Sequence, residues 1–88
     1  MDVFYTDRAR KDLKQLNLQL AQRIIKKVHF FSQQTNPVQF AKPLHNFALG
    51  QYRFRVGDYR VIFDIDKRQV VHILMVLRVK HRKEVYEL

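Results

Sequence analysis

The segment Tyr52-Arg53-Phe54-Arg55-Val56-Gly57-Asp58-Tyr59-Arg60 sets three guanidiniums beside a hairpin signal. Gly57-Asp58 is a two-residue turn with glycine first, as a type II′ turn requires. That turn fixes a register. Val56 faces Tyr59, Arg55 faces Arg60, and Arg53 lies across from Ile62. Directly opposed side chains share a sheet face. Arg53, Arg55 and Arg60 therefore project from the face that Tyr52, Phe54, Val61 and Phe63 do not use. Like charges set directly opposite each other are destabilising, so stability alone gives little reason for Arg55 against Arg60. One reading is a solvated sheet face. The other is an anion site, favoured because no carboxylate occupies a neighbouring paired position, although Asp64 is close along the strand. Arginine suits phosphate because its planar fork bonds two oxygens at once.

The C-terminal stretch adds Arg78, Lys80, His81, Arg82, Lys83 and Tyr86. If it folds back over the open face, further cations, an imidazole and a phenol join the same cleft. Phosphoryl transfer uses such groups: fixed positive charge for the transition state, and proton donors or acceptors. Other chemistries find little support. His29, His45, His72 and His81 lack metal-ligand spacing, and no paired carboxylates suggest a two-metal nuclease. Gly50 and Gly57 are too few for a phosphate or dinucleotide loop. Ser32 has no nucleophile motif around it. Neither cofactor nor metal is expected.

These residues sit in a chain of 88, with 47% hydrophobic and 28% charged residues. That is a globular composition, and the length fits one domain over residues 1–88. Seventeen Lys+Arg against eight Asp+Glu leave a net charge of +9, with a pI near 10.3. Such a charge on so small a body implies a polyanionic partner, nucleic acid first, an anionic membrane surface or acidic protein second. With no cysteine there is no disulfide framework and no thiolate site, so a reducing compartment is the default. The N-terminus does not read as a signal peptide. The longest apolar run, Ile73 to Leu77, is far short of the roughly 20 residues that span a bilayer. A soluble, cytoplasmic protein is expected.

The positioning elements follow from periodicity. Asp2 to Thr6 reads as a strand, and Thr6 or Asp7 can cap a helix carrying Ala9, Leu13 and Leu16 on one face. Asn17 can cap a second helix with an apolar stripe of Leu20, Ala21, Ile24, Ile25, Val28 and Phe31. Thr35-Asn36-Pro37 ends it. Val38 to Leu49 reads as a connection with an irregular strand near Leu44 to Phe47. The period then changes to two for the hairpin strands. Val70 to Val79 is apolar on both parities, as in a central strand covered on both faces. The tail from Lys80 reads as one or two helical turns or a final extension. The expected buried set is Leu13, Leu16, Leu20, Ile24, Val28, Phe54, Val61, Phe63 and alternate residues of 70–79.

Residues 52–65, YRFRVGDYRVIFDI, and residues 76–88, VLRVKHRKEVYEL, resemble the RelE/ParE superfamily of bacterial and archaeal toxins, RelE more closely. The most specific parts are Tyr52 to Arg60 and His81-Arg82-Lys83-Glu84-Val85-Tyr86, and the likeness covers essentially the whole chain. It implies an α+β fold, with an N-terminal strand and helical hairpin packed on one face of a mainly antiparallel sheet. It also implies the toxin of a type II toxin–antitoxin pair: a ribosome-dependent, metal-independent mRNA endoribonuclease held by a RelB-like antitoxin. The ribosome and mRNA are its partners, and DNA is reached only through the antitoxin. Matched by position, the resemblance assigns catalysis to Arg53, Arg55, Arg60, Lys80 and Tyr86, with His81 and Arg82 as additional candidates. Arg78, Arg82 and Lys83 would contact RNA. RelE enzymes can carry lysines where this chain has Arg53 and Arg55. Arginine stays charged in proteins and cannot serve as a base, so proton transfer falls to His81, Lys80 or Tyr86. The alternatives are a ParE-type gyrase inhibitor, or a catalytically silent module that acts with its antitoxin as a DNA-binding repressor.

Overall fold

The computed structural model describes residues 1–46 and 48–86, the last by its backbone alone. Strand β1 (Asp2–Tyr5) leads into helices α1 (Asp7–Lys14) and α2 (Leu18–Ser32). A 3-10 turn (Pro37–Phe40) and a short β2 (Ala41–Pro43) follow. Then come β3 (Tyr52–Val56), β4 (Tyr59–Asp66), β5 (Ile73–His81) and α3 (Arg82–Tyr86). The strands form one sheet in the order β1-β5-β4-β3-β2. Only β1 runs parallel to its neighbour, β5. This is the expected α+β arrangement.

Local chemistry starts each helix. The Thr6 hydroxyl oxygen accepts from Ala9 N at 3.1 Å and donates to the Leu77 carbonyl at 2.9 Å, so one side chain caps α1 and pins it to β5. Asn17 Oδ1 accepts from Leu20 N at 2.8 Å and opens α2. The hairpin turn forms as expected. Gly57 has φ +58° and no described non-glycine residue has positive φ, which is the type II′ signature.

The main core lies between the helices and one sheet face. Ala9, Leu13, Ala21, Ile24, Val28 and Phe31 pack there on Phe54, Val56, Val61, Phe63, Leu74, Val76 and Val79. Leu16 and Leu20, expected inside, are only half-buried at its margin. Ile25 is exposed. A smaller cluster, absent from the sequence reading, occupies the other face. Leu44, Ile62 and Val85 are buried in it, with Leu49 and Leu77 alongside. That face is therefore covered at its centre, not open throughout.

Three further expectations are corrected. β5 begins at Ile73, and Val70 and Val71 are solvent-exposed in the preceding bend, because no strand is left to pair with them. The strand in the connection is β2, before Leu44, while Leu44 itself turns onto the sheet and donates to Gln51 O at 3.0 Å. Phe47, the end of the expected strand, lies outside the described residues. The third is the burial of alternate residues over 70–79: Leu74, Val76 and Val79 are the buried ones, because the register shifts between β4 and β5. Ile62 pairs with Arg78 but Phe63 pairs with Val76, which leaves Leu77 as the extra residue of a bulge.

Gly50 explains how the connection lies so close to the sheet. Its φ is +153°, and a Cβ there would come within 2.7 Å of Ile62 Cγ2 and 3.1 Å of Leu77 Cδ1. Gln51 then locks the loop: its N–H donates to Asp64 Oδ1 at 2.7 Å and its Oε1 accepts from Ile65 N at 3.0 Å.

Candidate functional site

The hairpin register agrees with the sequence: Arg55 pairs with Arg60 and Arg53 with Ile62. The sheet then extends this pattern on both sides. Lys42 of β2 pairs with Arg53, and Lys80 of β5 pairs with Arg60. Arg55, Arg60 and Lys80 thus form one cationic row across three strands. Lys42, Arg53, Arg55 and Arg60 line a small cleft of about 130 Å³ with the ring of Phe40 at its edge. Lys42 was not singled out as a site residue in the sequence, because β2 is too short to show alternation.

The members of the row are held differently. Arg60 is only 7% exposed, and its Nη1 donates to the carbonyls of Gly57 and Tyr59, each at 3.0 Å. Backbone dipoles of the turn thus partly compensate a buried cation whose neighbours are also cations. Lys80 Nζ lies 3.3 Å from Glu84 Oε2. Among the described residues Lys42, Arg53 and Arg55 form no ion pair. The row concentrates positive charge on one sheet face.

The tail does fold back, with Val85 buried against Ile62 and Leu44. Yet it does not bring every expected group to one cleft. His81 pairs with Tyr59, whose ring packs on the main core, and the two rings meet edge to face at 5.4 Å. Neighbours in a strand point to opposite faces, and the bulge at Leu77 phases β5 so that Lys80 takes the basic face and His81 the other, which corrects the shared-cleft expectation. There the imidazole caps α3: His81 Nδ1 accepts from Lys83 N at 3.2 Å, and His81 N–H donates to Glu84 Oε1 at 3.3 Å. The Glu84 bond is the one a capping box makes, while the histidine side chain accepts from the second helical N–H and not the third. The spacing His81-x-x-Glu84 is the sequence signal that was missed.

Arg78, expected to contact RNA, is instead bound to α1. Its Nε and Nη2 donate to the two Asp12 oxygens at 2.8 and 3.0 Å, and Val79 N donates to Asp12 Oδ2 at 2.9 Å. Arg82 and Lys83 are exposed. Arg82 N donates to Asp58 O at 2.7 Å, which ties α3 to the hairpin turn. Its guanidinium lies 3.8 Å from Asp58 Oδ1, a surface pair of little energetic weight. Tyr86 ends α3, and its side chain lies outside the described residues.

Burial alone would raise the Asp12 carboxyl pKa. The Arg78 hydrogen bonds, the Val79 N–H and the charges of Arg78 and Lys80 outweigh it and hold the group below the usual carboxylate value. Asp12→Ala is expected to cost about 2 kcal/mol, since hydrogen bonds to a charged group are lost. The lowered folded pKa makes this contribution fully present above the ordinary value of about 4, and it fades as pH falls through the folded value. Urea unfolding of parent and variant at neutral and strongly acidic pH should show a gap that narrows in acid. An unchanged gap would mean that packing, not the ion pair, accounts for the loss.

The family profile described as "ParE toxin of type II toxin-antitoxin system, parDE" matches residues 3–86. Toxin RelG of Mycobacterium tuberculosis is 30% identical over 84 residues, covering 96% of this chain and 93% of that toxin. Toxin RelE of the same organism is 35% identical over 75 residues, covering 81% of this chain and 76% of that toxin. The crystal structure of the M. tuberculosis toxin–antitoxin complex RelBE2 superposes with a TM-score of 0.72 at 30% identity, covering 92% of this chain and 90% of that one. The chain belongs to the RelE/ParE family of toxins of type II toxin–antitoxin systems. Among the described residues no helix is long and apolar enough to cross a membrane.

Proposed function

We propose that the protein is the toxin of a type II pair and acts as a ribosome-dependent mRNA endoribonuclease that stops translation. The observation that carries this is the row Arg55–Arg60–Lys80, three cations in register on one sheet face beside the Lys42–Arg53 cleft. RNA can cleave itself when a 2′-hydroxyl attacks the adjacent phosphorus. That step gathers negative charge on the phosphoryl oxygens and expels the 5′-oxygen of the next nucleotide. Arg55, Arg60 and Arg53 would stabilise the charge, Arg82 and Lys83 would hold the backbone nearby, and Lys80 or Tyr86 would move the protons. His81 is placed as a cap, so its role in this reading is to hold α3, and with it Tyr86. The relatives named RelG and RelE support the reading.

Expressing the chain in cells and mapping new mRNA 5′ ends on ribosomes tests it. Codon-phased cuts that vanish with Arg55→Ala are expected. The ParE description of the matching family favours a second reading, gyrase inhibition without catalysis. DNA damage with intact mRNA would establish that instead, and neither outcome would leave a silent module acting with its antitoxin on DNA.

The proposed partner is an acidic, RelB-like antitoxin, because a +9 domain with an exposed cationic face calls for a compensating chain. The RelBE2 relative was solved as a toxin–antitoxin complex. Native purification should yield a complex; only free monomer at cellular concentration would refute this.

A further inference from the structure

On the basic face, beyond the cationic cleft, lies a second cavity of about 340 Å³, lined among others by Ala48, Leu49, Ile62, Leu77, Arg78 and Lys80. Its character differs from that of the cleft. Leu49 and Leu77, both half-buried, supply apolar surface above the buried Ile62, with Arg78, Lys80 and Arg8 around it. Two features shape it. Gly50 lets the Ala48–Leu49 turn settle against Ile62 and Leu77, and the β5 bulge adds Leu77 on this face. Bulges near functional sites often re-aim a side chain in this way. Lys80 belongs both to this cavity and to the row with Arg55 and Arg60.

We infer that this cavity is a subsite for one unpaired nucleobase of the RNA whose phosphate lies on the Arg55–Arg60–Lys80 row. The inference rests on the ribonuclease reading and extends it. A single strand presents phosphate and base in alternation, so a phosphate row should adjoin apolar surface for a base. Bases of single-stranded RNA are typically splayed out and stacked or packed by the protein that reads them. The cleft of Lys42, Arg53, Arg55 and Arg60 offers almost wholly cationic walls and one ring edge, whereas the second cavity offers a desolvated floor. The shared Lys80 makes the two contiguous. Arg78 is fixed by Asp12 and so presents a rigid rim, not a mobile one.

The test uses the full chain, uniformly 15N-labelled and methyl-labelled at Ile and Leu, and a four-nucleotide RNA with 2′-O-methyl riboses, which cannot be cleaved. The Leu49 and Leu77 methyls should shift upfield as a base ring covers them. The same oligomer with one abasic position should bind about 5- to 150-fold more weakly, the range for loss of one packed base, and should leave the methyls unmoved. Ala48→Trp, which fills the cavity and leaves Arg55 and Arg60 outside its lining, should lower affinity for the intact oligomer to that of the abasic one. If the Arg55 and Lys80 resonances shift but the methyls do not, RNA binds through phosphate alone. The subsite is then refuted while ribosomal cleavage still stands on its own test. If nothing shifts, or abasic and intact oligomers bind equally, the subsite is likewise refuted.

Discussion

Arg55→Ala is expected to lower single-turnover mRNA cleavage on programmed ribosomes by about 10²–10³, the usual cost of losing one fixed donor to a developing oxyanion. The loss should fall on turnover more than on half-saturation, because the guanidinium meets its full charge partner only in the transition state. Arg55 is the cleanest member of the row to remove. It is exposed and makes no ion pair among the described residues, so the fold should survive. Arg60 is different. Its Nη1 holds two turn carbonyls, so Arg60→Ala is expected to lose stability as well as activity. Lys80→Met and Tyr86→Phe should alter the pH profile of the rate if they move protons, and general acid–base groups typically contribute about 10²–10⁴. His81→Gln should lower the rate with no change in that profile, because its imidazole faces away from the row. A parent pH profile in both Lys80→Met and Tyr86→Phe would defeat the proton-transfer scheme.

Phe63→Ala is expected to have the largest effect on the fold, about 3–5 kcal/mol. Phe63 and Phe54 are fully buried, stacked with ring centroids 4.1 Å apart, and Phe31 continues the stack at 4.5 Å from Phe54. These rings join α2 to β3 and β4. A chain of this length has a net stability of only about 4–13 kcal/mol at ~0.05–0.15 kcal/mol per residue. The variant should therefore show a much lower urea midpoint, or be unfolded without denaturant. Phe54 lies between Arg53 and Arg55 on β3, so loosening this stack should also cost cleavage. A loss under about 1 kcal/mol would show that the site relaxes far more than large aromatic deletions usually allow.

The arginine pairing was legible because it is local. A two-residue turn leaves the flanking strands one register, and alternation then assigns each side chain a face. Helix starts were legible for the same reason: Thr6 and Asn17 act on backbone N–H groups three residues away. The place of Lys80 was not. Strict alternation along β5 would put Leu74, Val76, Arg78 and Lys80 on one face. The extra residue at the bulge re-phases the strand, so Val79 enters the core, Lys80 joins Arg60, and His81 leaves the basic face. The step of three from Val76 to Val79 is the only trace of this in the sequence.

The carboxylate partner of Arg78 was hidden by distance. Asp12 and Arg78 are 66 residues apart and meet only because α1 lies alongside β5, where β1 has ended. The cover over Ile62 is likewise non-local, made by Leu44, Leu49, Leu77 and Val85 from three separate parts of the chain. By itself the sequence determined the net charge, the hairpin, the helix caps and the converging arginines, all of which depend on composition or on neighbours a few residues away. Only the tertiary structure decided which cations share the row, which are bound by carboxylates and which histidine face is presented. Those outcomes depend on the packing of strands and helices far apart in the chain, and on one unpaired residue in β5.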